Sequence, residues 1–108
     1  MSSMVMVTTS ITEKEQAVAL ASSILDSGLA ACVQVSGPVT SLYIWNNERC
    51  TETEWLCVSK TLDSHSRRLL EFIRCAHPYE TPEIIVTPVL EVLPEYLEWL
   101  KDSLEPVE

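Results

Sequence analysis

Apolar residues recur at helical spacing in some stretches of this chain and alternate with polar residues in others. The first helical stretch follows Thr12, which matches a capping box with Glu15, and Gly28 provides its stop. We therefore predict an amphipathic helix of about four turns. Its apolar stripe consists of Ala17, Val18, Leu20, Ala21, Ile24 and Leu25.

Two further helices are predicted, one on each side of a strand. Asp63 or Ser64 caps the second helix, which must end before Pro78 because proline disfavours the helical conformation in the residue before it. The buried stripe of this helix comprises Leu69, Phe72, Ile73 and Ala76. Pro94 suits the first turn of the last helix, whose protein-facing residues are Leu97, Leu100 and Leu104.

The alternating stretches predict four β-strands. Gly37–Pro38 interrupts the second strand, and a proline inside a strand pattern indicates a bulge, a bend or a sheet edge. Asn46–Asn47 tolerates left-handed backbone conformations and so turns the chain into a hairpin. The predicted strands are 4–9, 31–45, 54–61 and 83–87, the last with an extension over 89–92.

The predicted element order is β-α-β-β-α-β followed by a C-terminal helix. This is the split βαβ order of ferredoxin-like α+β domains, in which two helices cover one face of an antiparallel sheet. At 108 residues, the chain has the length of a single domain. The hairpin carries Tyr43, Trp45 and Trp55, more aromatic surface than a lone hairpin buries, so we expect an interface there.

The chain is acidic, with a formal net charge of -9. This charge disfavours nucleic acids and anionic membranes as partners. No apolar run approaches the ~20 residues of a membrane span, and the first residues lack the basic and apolar regions of a signal peptide. The four cysteines are therefore expected to be reduced thiols in the cytoplasm, not a disulfide framework.

The segment from His77 to Pro82 places polar side chains on a stiffened backbone. Pro78 and Pro82 restrict the residues before them, and Tyr79 and Glu80 lie between the two prolines. Imidazole is a common metal ligand, so this segment is a candidate coordinating site. The alternative is a rigid turn held by a hydrogen-bonded histidine, and both interpretations stay open at this point.

Several stretches of the sequence occur together in one known family: Thr8–Thr9, Leu29–Val33, Val39–Tyr43 with Trp45, Lys60–Thr61, His77–Ile84, and Tyr96–Leu97 with Trp99. On these stretches the chain resembles the CutA family of divalent-cation-tolerance proteins. The resemblance implies a single domain over residues 1–108 with a core at 5–104, and a tight homotrimer built through sheet edges. It also implies an association with copper, as Cu(I) or Cu(II), or with another divalent metal. The PII signalling proteins are similar in fold and trimeric form.

By motif match, the resemblance points to Cys32 and His77 as metal ligands. The metal-binding hypothesis adds Glu80 as an assisting ligand. In the predicted topology the second and fourth strands begin at opposite ends of the sheet, so Cys32 and His77 of one chain lie about a strand length apart. Metal–ligand bonds of about 2.0–2.3 Å are far shorter, so a shared ion requires ligands from two chains. The alternative for Cys32 is a buried core position, the commoner role of a free cysteine.

The predicted hairpin register pairs Cys32 with Lys60 or Thr61. A nearby ammonium lowers the pKa of a thiol and favours metal binding or oxidation, unless the Lys60 side chain only extends to solvent at the sheet end. Cys50 and Cys75 are expected at peripheral positions, and Cys57 at a structural position within a strand. His65, near the start of a helix, is expected to be solvated.

Two functions from different classes follow from these residues. One is a metal-responsive binding protein that uses Cys32, His77 and Glu80. The other is a PII-like sensor that binds a small anion or metabolite in clefts between subunits, lined by Trp45, Lys60 and Tyr79. No phosphate-cradling glycine loop is present in the sequence, which disfavours a nucleotide, and no organic cofactor is expected. An enzyme built on a Cys32–His77 dyad is not favoured, because no third group that would orient the dyad is evident.

Overall fold

The computed structural model describes residues 3–106, which fold into the predicted order of elements. These are β1 Met4–Ile11, α1 Lys14–Ser27, β2 Cys32–Trp45, β3 Glu48–Leu62, α2 Asp63–Ala76, β4 Ile84–Pro88 and α3 Pro94–Ser103. The strands form one antiparallel sheet in the order β2-β3-β1-β4. The predicted ferredoxin-like α+β fold is therefore confirmed.

The main core lies between the sheet and the helices α1 and α2. Each large aliphatic side chain buried here stabilises the fold by roughly 1.5–3 kcal/mol relative to its exposed state. A second cluster lies at the start of β1, where Leu100 of α3 packs against Met4 and Leu62. The fully buried members of the main core include Val7, Ile24, Leu69 and Ile73.

The start of α1 differs from the prediction. Thr12 forms no capping box, because the N-cap is Glu13 and no side chain caps the helix. β1 stays paired with β3 as far as Ile11, so the strand ends closer to α1 than predicted. The apolar stripe is also narrower than predicted, since Val18 and Leu25 are 48% and 52% exposed. The buried residues of α1 are Ala17, Leu20 and Ile24.

The start of α2 also corrects the prediction, because neither Asp63 nor Ser64 occupies the N-cap. β3 leads directly into α2, so the N-cap is Leu62, which has no side-chain capping bond. The Asp63 carboxylate instead accepts a hydrogen bond from the backbone N–H of Ser3 at 3.0 Å. At the other end of α2, Ala76 is exposed rather than part of the buried stripe.

The β2–β3 hairpin is longer than predicted, because β3 begins at Glu48 and not near residue 54. Trp45 pairs with Glu48 across a two-residue turn. Asn46 and Asn47 form this turn with φ angles of 52° and 64°, the left-handed conformations that a tight hairpin turn requires. The predicted turn is therefore confirmed.

The predicted irregularity at Gly37–Pro38 is confirmed by a register shift between Ser36 and Val39. Gly37 has a φ of 148°, a conformation that residues with side chains rarely adopt. A Cβ atom at this position would lie 2.9 Å from the Trp55 ring. Glycine therefore allows β2 to cross closely over Trp55.

The predicted extension of β4 over residues 89–92 is wrong. Val89 still donates its backbone N–H to the Met4 carbonyl at 3.1 Å, but the strand itself ends at Pro88. The chain then leaves the sheet because Val89 and Val92 pack into the cluster around Leu100. No helix within residues 3–106 is long and apolar enough to cross a membrane.

His65 is buried, not solvated as predicted. Its ring is 2% exposed, and its Nε2 lies 2.7 Å from the carbonyl oxygen of Glu105. The backbone N–H of Glu105 also donates to the Gly28 carbonyl at 3.0 Å, and the Glu105 carboxylate pairs with Arg68. The chain after α3 therefore covers the ring, and the sequence gives no local sign of this distant contact.

Candidate functional site

His77 fastens the α2–β4 connection, residues 77–83, to the end of β1. Its backbone is extended at φ -75° and ψ 139°, as the following proline favours, and the residue is 8% exposed. Nδ1 accepts a hydrogen bond from the Tyr79 N–H at 3.1 Å, which leaves Nε2 to donate to the Ser10 carbonyl at 2.9 Å. Within one chain, His77 thus has the geometry of a hydrogen-bonded histidine in a rigid turn.

Tyr79 joins this connection to the hairpin. Its ring packs edge-on against His77 with centroids 4.5 Å apart, and its hydroxyl donates to Glu54 Oε2 at 2.8 Å. Burial, together with this bond to a carboxylate, raises the pKa of Tyr79 to about 12. The hydroxyl therefore stays protonated and keeps donating at neutral pH.

A second tyrosine–carboxylate pair lies further along the hairpin. The Tyr43 hydroxyl on β2 donates to Glu52 on β3, and this bond raises the pKa of Tyr43 to about 12. Cross-strand register brings these side chains together, because Tyr43 pairs with Cys50 and Glu52 pairs with Ser41. Glu52 and Glu54, each hydrogen-bonded to a tyrosine hydroxyl, therefore lie along one side of the hairpin.

The hairpin and residues 77–83 enclose a groove of about 480 Å³. Such a volume falls in the range of about 300–1,000 Å³ that small-molecule sites occupy. The lining contains aromatic rings and carboxylates but no lysine or arginine. The lining residues are Ser10, Tyr43, Trp45, Glu52, Glu54, Tyr79, Glu80, Thr81 and Glu83.

The structure brings together some of the predicted site residues and separates others. Trp45, Tyr79 and Glu80 line the groove. Lys60, which was predicted beside them, lies elsewhere in the chain, with its Nζ 5.8 Å from the centroid of the Tyr96 ring. Among residues 3–106 of one chain, therefore, no lysine or arginine lines the groove.

Cys32 lies at the other end of the sheet from His77, as predicted. It is half-buried at the start of β2 and pairs with Lys60, which in turn pairs with Met6 of β1. His77 bonds to Ser10, four positions further along β1, which corresponds to about 13 Å of strand. The two residues of one chain therefore cannot bind the same metal ion.

The metal-ligand prediction does not form a site within one chain. Residues 3–106 contain no group of three or more His, Cys, Asp or Glu side chains that could hold a metal ion. Both ring nitrogens of His77 are engaged, so coordination would require it to release Ser10 or Tyr79. The assignment of Cys32, His77 and Glu80 as ligands remains a prediction about neighbouring chains.

Sequence reasoning missed the two carboxylates that dominate the groove, Glu52 and Glu54. A signal was present, because the alternation of threonine and glutamate over 51–54 places both carboxylates on one face of a strand. The predicted start of β3 at residue 54 concealed this alternation. The longer strand brings Glu52 beside Tyr43, whereas Glu54 lies within reach of Tyr79.

Fold and groove together define the class of protein: a ferredoxin-like α+β domain whose long hairpin forms an acidic, aromatic groove with the α2–β4 connection. A family model described as "CutA1 divalent ion tolerance protein" matches residues 5–103. The chain belongs to this family.

Individual relatives agree in sequence and in fold. The divalent-cation tolerance protein CutA of Escherichia coli is 42% identical over 85 residues, which cover 79% of this chain and 76% of the relative. CutA1 from Oryza sativa superposes with a TM-score of 0.91 at 35% identity and covers 94% of both chains. A structure described as the periplasmic divalent cation tolerance protein CutA from Archaeoglobus fulgidus gives a TM-score of 0.90 at 26% identity, covering 94% of this chain and 99% of that one.

Proposed function

We propose that this chain acts in divalent-metal tolerance as a homotrimer that binds copper, or another divalent metal, between its subunits. Its membership of a family described by divalent ion tolerance supports the metal role. The distance between Cys32 and His77 in one chain supports a metal site between subunits. If both residues serve one ion, only assembly can bring them together.

Exposed apolar side chains support assembly through the sheet edges. β2 and β4 are the edge strands of the sheet. An edge strand exposes unpaired backbone groups and is usually protected by another part of the structure or by another chain. Joining unlike edges around a ring closes a symmetric assembly. The side chains concerned include Leu42 and Ile44 on β2 and Ile85 and Val86 on β4.

The donor set favours copper or zinc over calcium or magnesium. Thiolate and imidazole are soft or borderline ligands, whereas calcium and magnesium prefer oxygen. Cys32 lies beside Lys60 at a half-buried position, and Glu80 is exposed at the rim of the groove. Cys32 of one chain and His77 and Glu80 of a neighbouring chain make up the proposed ligand set.

Competition between metals tests this proposal. We expect copper to stay bound in excess calcium or magnesium, because hard cations compete poorly for thiolate and imidazole. Cys32→Ser and Glu80→Gln should each weaken copper binding, measured by equilibrium dialysis without chelators or affinity tags. Cys75→Ser, at an exposed thiol on α2, is the matched control. Equal displacement by calcium, or equal effects of both cysteine variants, would contradict the proposed site.

The groove supports a second candidate function, that of a small-ligand sensor. The enclosed volume and the aromatic lining from Tyr43, Trp45 and Tyr79 favour this role. No enzymatic activity is included in either proposal. A nucleophile–base pair requires contact at about 2.6–3.2 Å, and Cys32 and His77 of one chain lie much further apart than that.

A cytoplasmic location is part of the proposal. Free cysteines, as found at all four positions, suit a reducing compartment. The relative from Archaeoglobus fulgidus is described as periplasmic, so the compartment requires a direct test. We expect the native protein to fractionate with cytoplasmic markers, and recovery with periplasmic markers would contradict this placement.

A further inference from the structure

Glu54 is a buried carboxylate that forms no ion pair with any basic side chain of residues 3–106. It is 7% exposed and lines the groove, and the Tyr79 hydroxyl bonds to only one of its oxygens, Oε2. Within residues 3–106, the other oxygen has no hydrogen-bond partner and no basic side chain forms an ion pair with Glu54. Carboxylates are rarely buried to this degree unless they are paired. The second oxygen, Oε1, still reaches solvent, so it is available to a positively charged group from outside the chain.

The aromatic side chains of the groove favour the same kind of ligand. Tyr43 is 38% exposed and Trp45 is 50% exposed, so both rings are accessible to a ligand. The face of an aromatic ring attracts ammonium and guanidinium groups, and tryptophan is the strongest of these partners. Glu52, Glu80 and Glu83 add negative charge around the rings.

The arrangement suits an organic cation better than a metal ion. A divalent metal needs several ligand atoms converging on one point, and no such group of His, Cys, Asp or Glu occurs within residues 3–106. The carboxylates are instead distributed along a groove of about 480 Å³. An extended ligand with nitrogen at more than one position would meet several of them at once.

We propose that the groove binds an organic ammonium or guanidinium group, with Glu54 as its principal anchor and Trp45 as its aromatic wall. This inference rests on the small-ligand function proposed above, and it specifies a cation where the sequence suggested a small anion or metabolite. The cation can be supplied by a free linear polyamine or by a lysine or arginine side chain of another copy of the chain. Both sources present the same kind of charged nitrogen group. With a free polyamine, Glu54 stabilises the bound ligand, whereas with a neighbouring chain it stabilises the assembly.

Calorimetric titration of the intact protein with spermidine tests the free-ligand source. Glu54→Gln should weaken spermidine binding by about tenfold, because it removes the buried charge while keeping an acceptor for Tyr79. Glu91→Gln removes an equal charge from an exposed position beyond the other end of the sheet and should leave the affinity unchanged. Thermal unfolding of both variants verifies that they remain folded.

A second measurement on the same variants tests the other source. If a neighbouring chain supplies the cation, spermidine gives no binding heat, and Glu54→Gln shifts dissociation of the assembly to higher protein concentrations while Glu91→Gln does not. Either pattern supports the proposal. If Glu54→Gln alters neither spermidine affinity nor assembly, or acts only as Glu91→Gln does, the proposal is overturned. Binding of inorganic phosphate in place of spermidine would overturn the proposal that the ligand is a cation, but it would leave the small-ligand function standing. Copper binding by Cys32 is measured in a separate experiment.

Discussion

At the scale of single residues, both histidines fasten distant parts of the backbone. His77 donates to the Ser10 carbonyl, and His65 lies within hydrogen-bonding distance of the Glu105 carbonyl. Both rings are buried, at 8% and 2% exposure. A hydrogen bond of this kind contributes about 0.5–1.5 kcal/mol, but an unpartnered buried group costs more. Each histidine therefore holds one segment of chain in place.

The pKa of His65 is lowered from 6.5, chiefly by burial and further by the positive charge of Arg68. The unfolded chain therefore takes up this proton more readily than the folded chain. The stabilisation that depends on the neutral ring is fully present above the unfolded pKa, and it is lost as the pH falls from about 6.5 through the lower folded pKa. We expect urea denaturation to show a lower free energy of unfolding on the acid side of this window.

A variant isolates the contribution of this histidine. His65→Gln keeps a polar side chain but cannot titrate, so its free energy of unfolding should fall less steeply over the same pH window. The pH dependence is the decisive quantity, because the substitution itself also changes the free energy of unfolding. Identical slopes for the wild-type protein and His65→Gln would contradict the assignment.

The sequence revealed some of these residue roles and concealed others. Pro78 made the conformation of His77 predictable, since its effect on the preceding residue is local. The bond to Ser10 and the burial of His65 depend on segments far away in the chain. The burial of Glu54 also depends on a distant segment, because residues 77–83 fold against the hairpin, although the alternation over 51–54 already indicated the face on which it lies. Local sequence patterns do not predict contacts between segments that are distant in the chain.

At the scale of elements, the hairpin is the feature that sets this chain apart from a minimal ferredoxin-like domain. β2 and β3 continue beyond the end of β1, because β1 pairs with β3 only as far as Ile11 opposite Trp55. The remaining hairpin residues continue to the turn at Asn46 and Asn47. This projecting part carries the aromatic wall of the groove.

Asn47→Gly should stabilise the hairpin. Asn47 has a φ of 64°, and left-handed backbone costs residues with a Cβ atom roughly 1–2 kcal/mol, a cost that asparagine partly avoids. We expect glycine to raise the free energy of unfolding by up to about 1 kcal/mol and Asn47→Ala to lower it. Urea denaturation at one fixed protein concentration measures both changes, and equal effects of the two substitutions would contradict the turn assignment.

The order and type of the elements followed from the sequence, whereas several boundaries did not. Hydrophobic periodicity identified every helix and strand because it reports which face is buried. Strand ends depend on pairing partners, so β1 and β3 extend beyond their predicted limits. Tertiary packing also removed residues 89–92 from the sheet, since the apolar side chains there bury against α3.

At the scale of the whole molecule, one chain is elongated and leaves large apolar side chains exposed. It measures 44 × 26 × 21 Å, and its radius of gyration of 14.5 Å exceeds the roughly 13 Å of a compact domain of about 100 residues. Leu42 and Ile44, on the same face of β2, are 58% and 68% exposed, and monomeric proteins rarely expose apolar side chains in such groups. The proposed assembly through the sheet edges would cover such surface.

The sequence pattern of one chain cannot assign contacts between chains. Exposed apolar strands indicate that a partner exists, but they do not give its position or the number of copies. The trimer was therefore expected from the family resemblance and not from periodicity. A measurement that distinguishes ligands of one chain from ligands of two chains examines this part of the account directly.

Subunit mixing is that measurement. Cys32→Ser and Glu80→Gln proteins are unfolded, combined in equal amounts and refolded, with native mass analysis to verify mixed assemblies of three chains. Glu80→Gln is preferred to a His77 variant because Glu80 is exposed, whereas His77 fastens residues 77–83. If the ligands come from neighbouring chains, about a quarter of the interfaces regain an intact pair by random association in the ring, and copper binding partly recovers. If mixed assemblies form and copper binding stays as weak as in either parent, the inter-subunit site is contradicted.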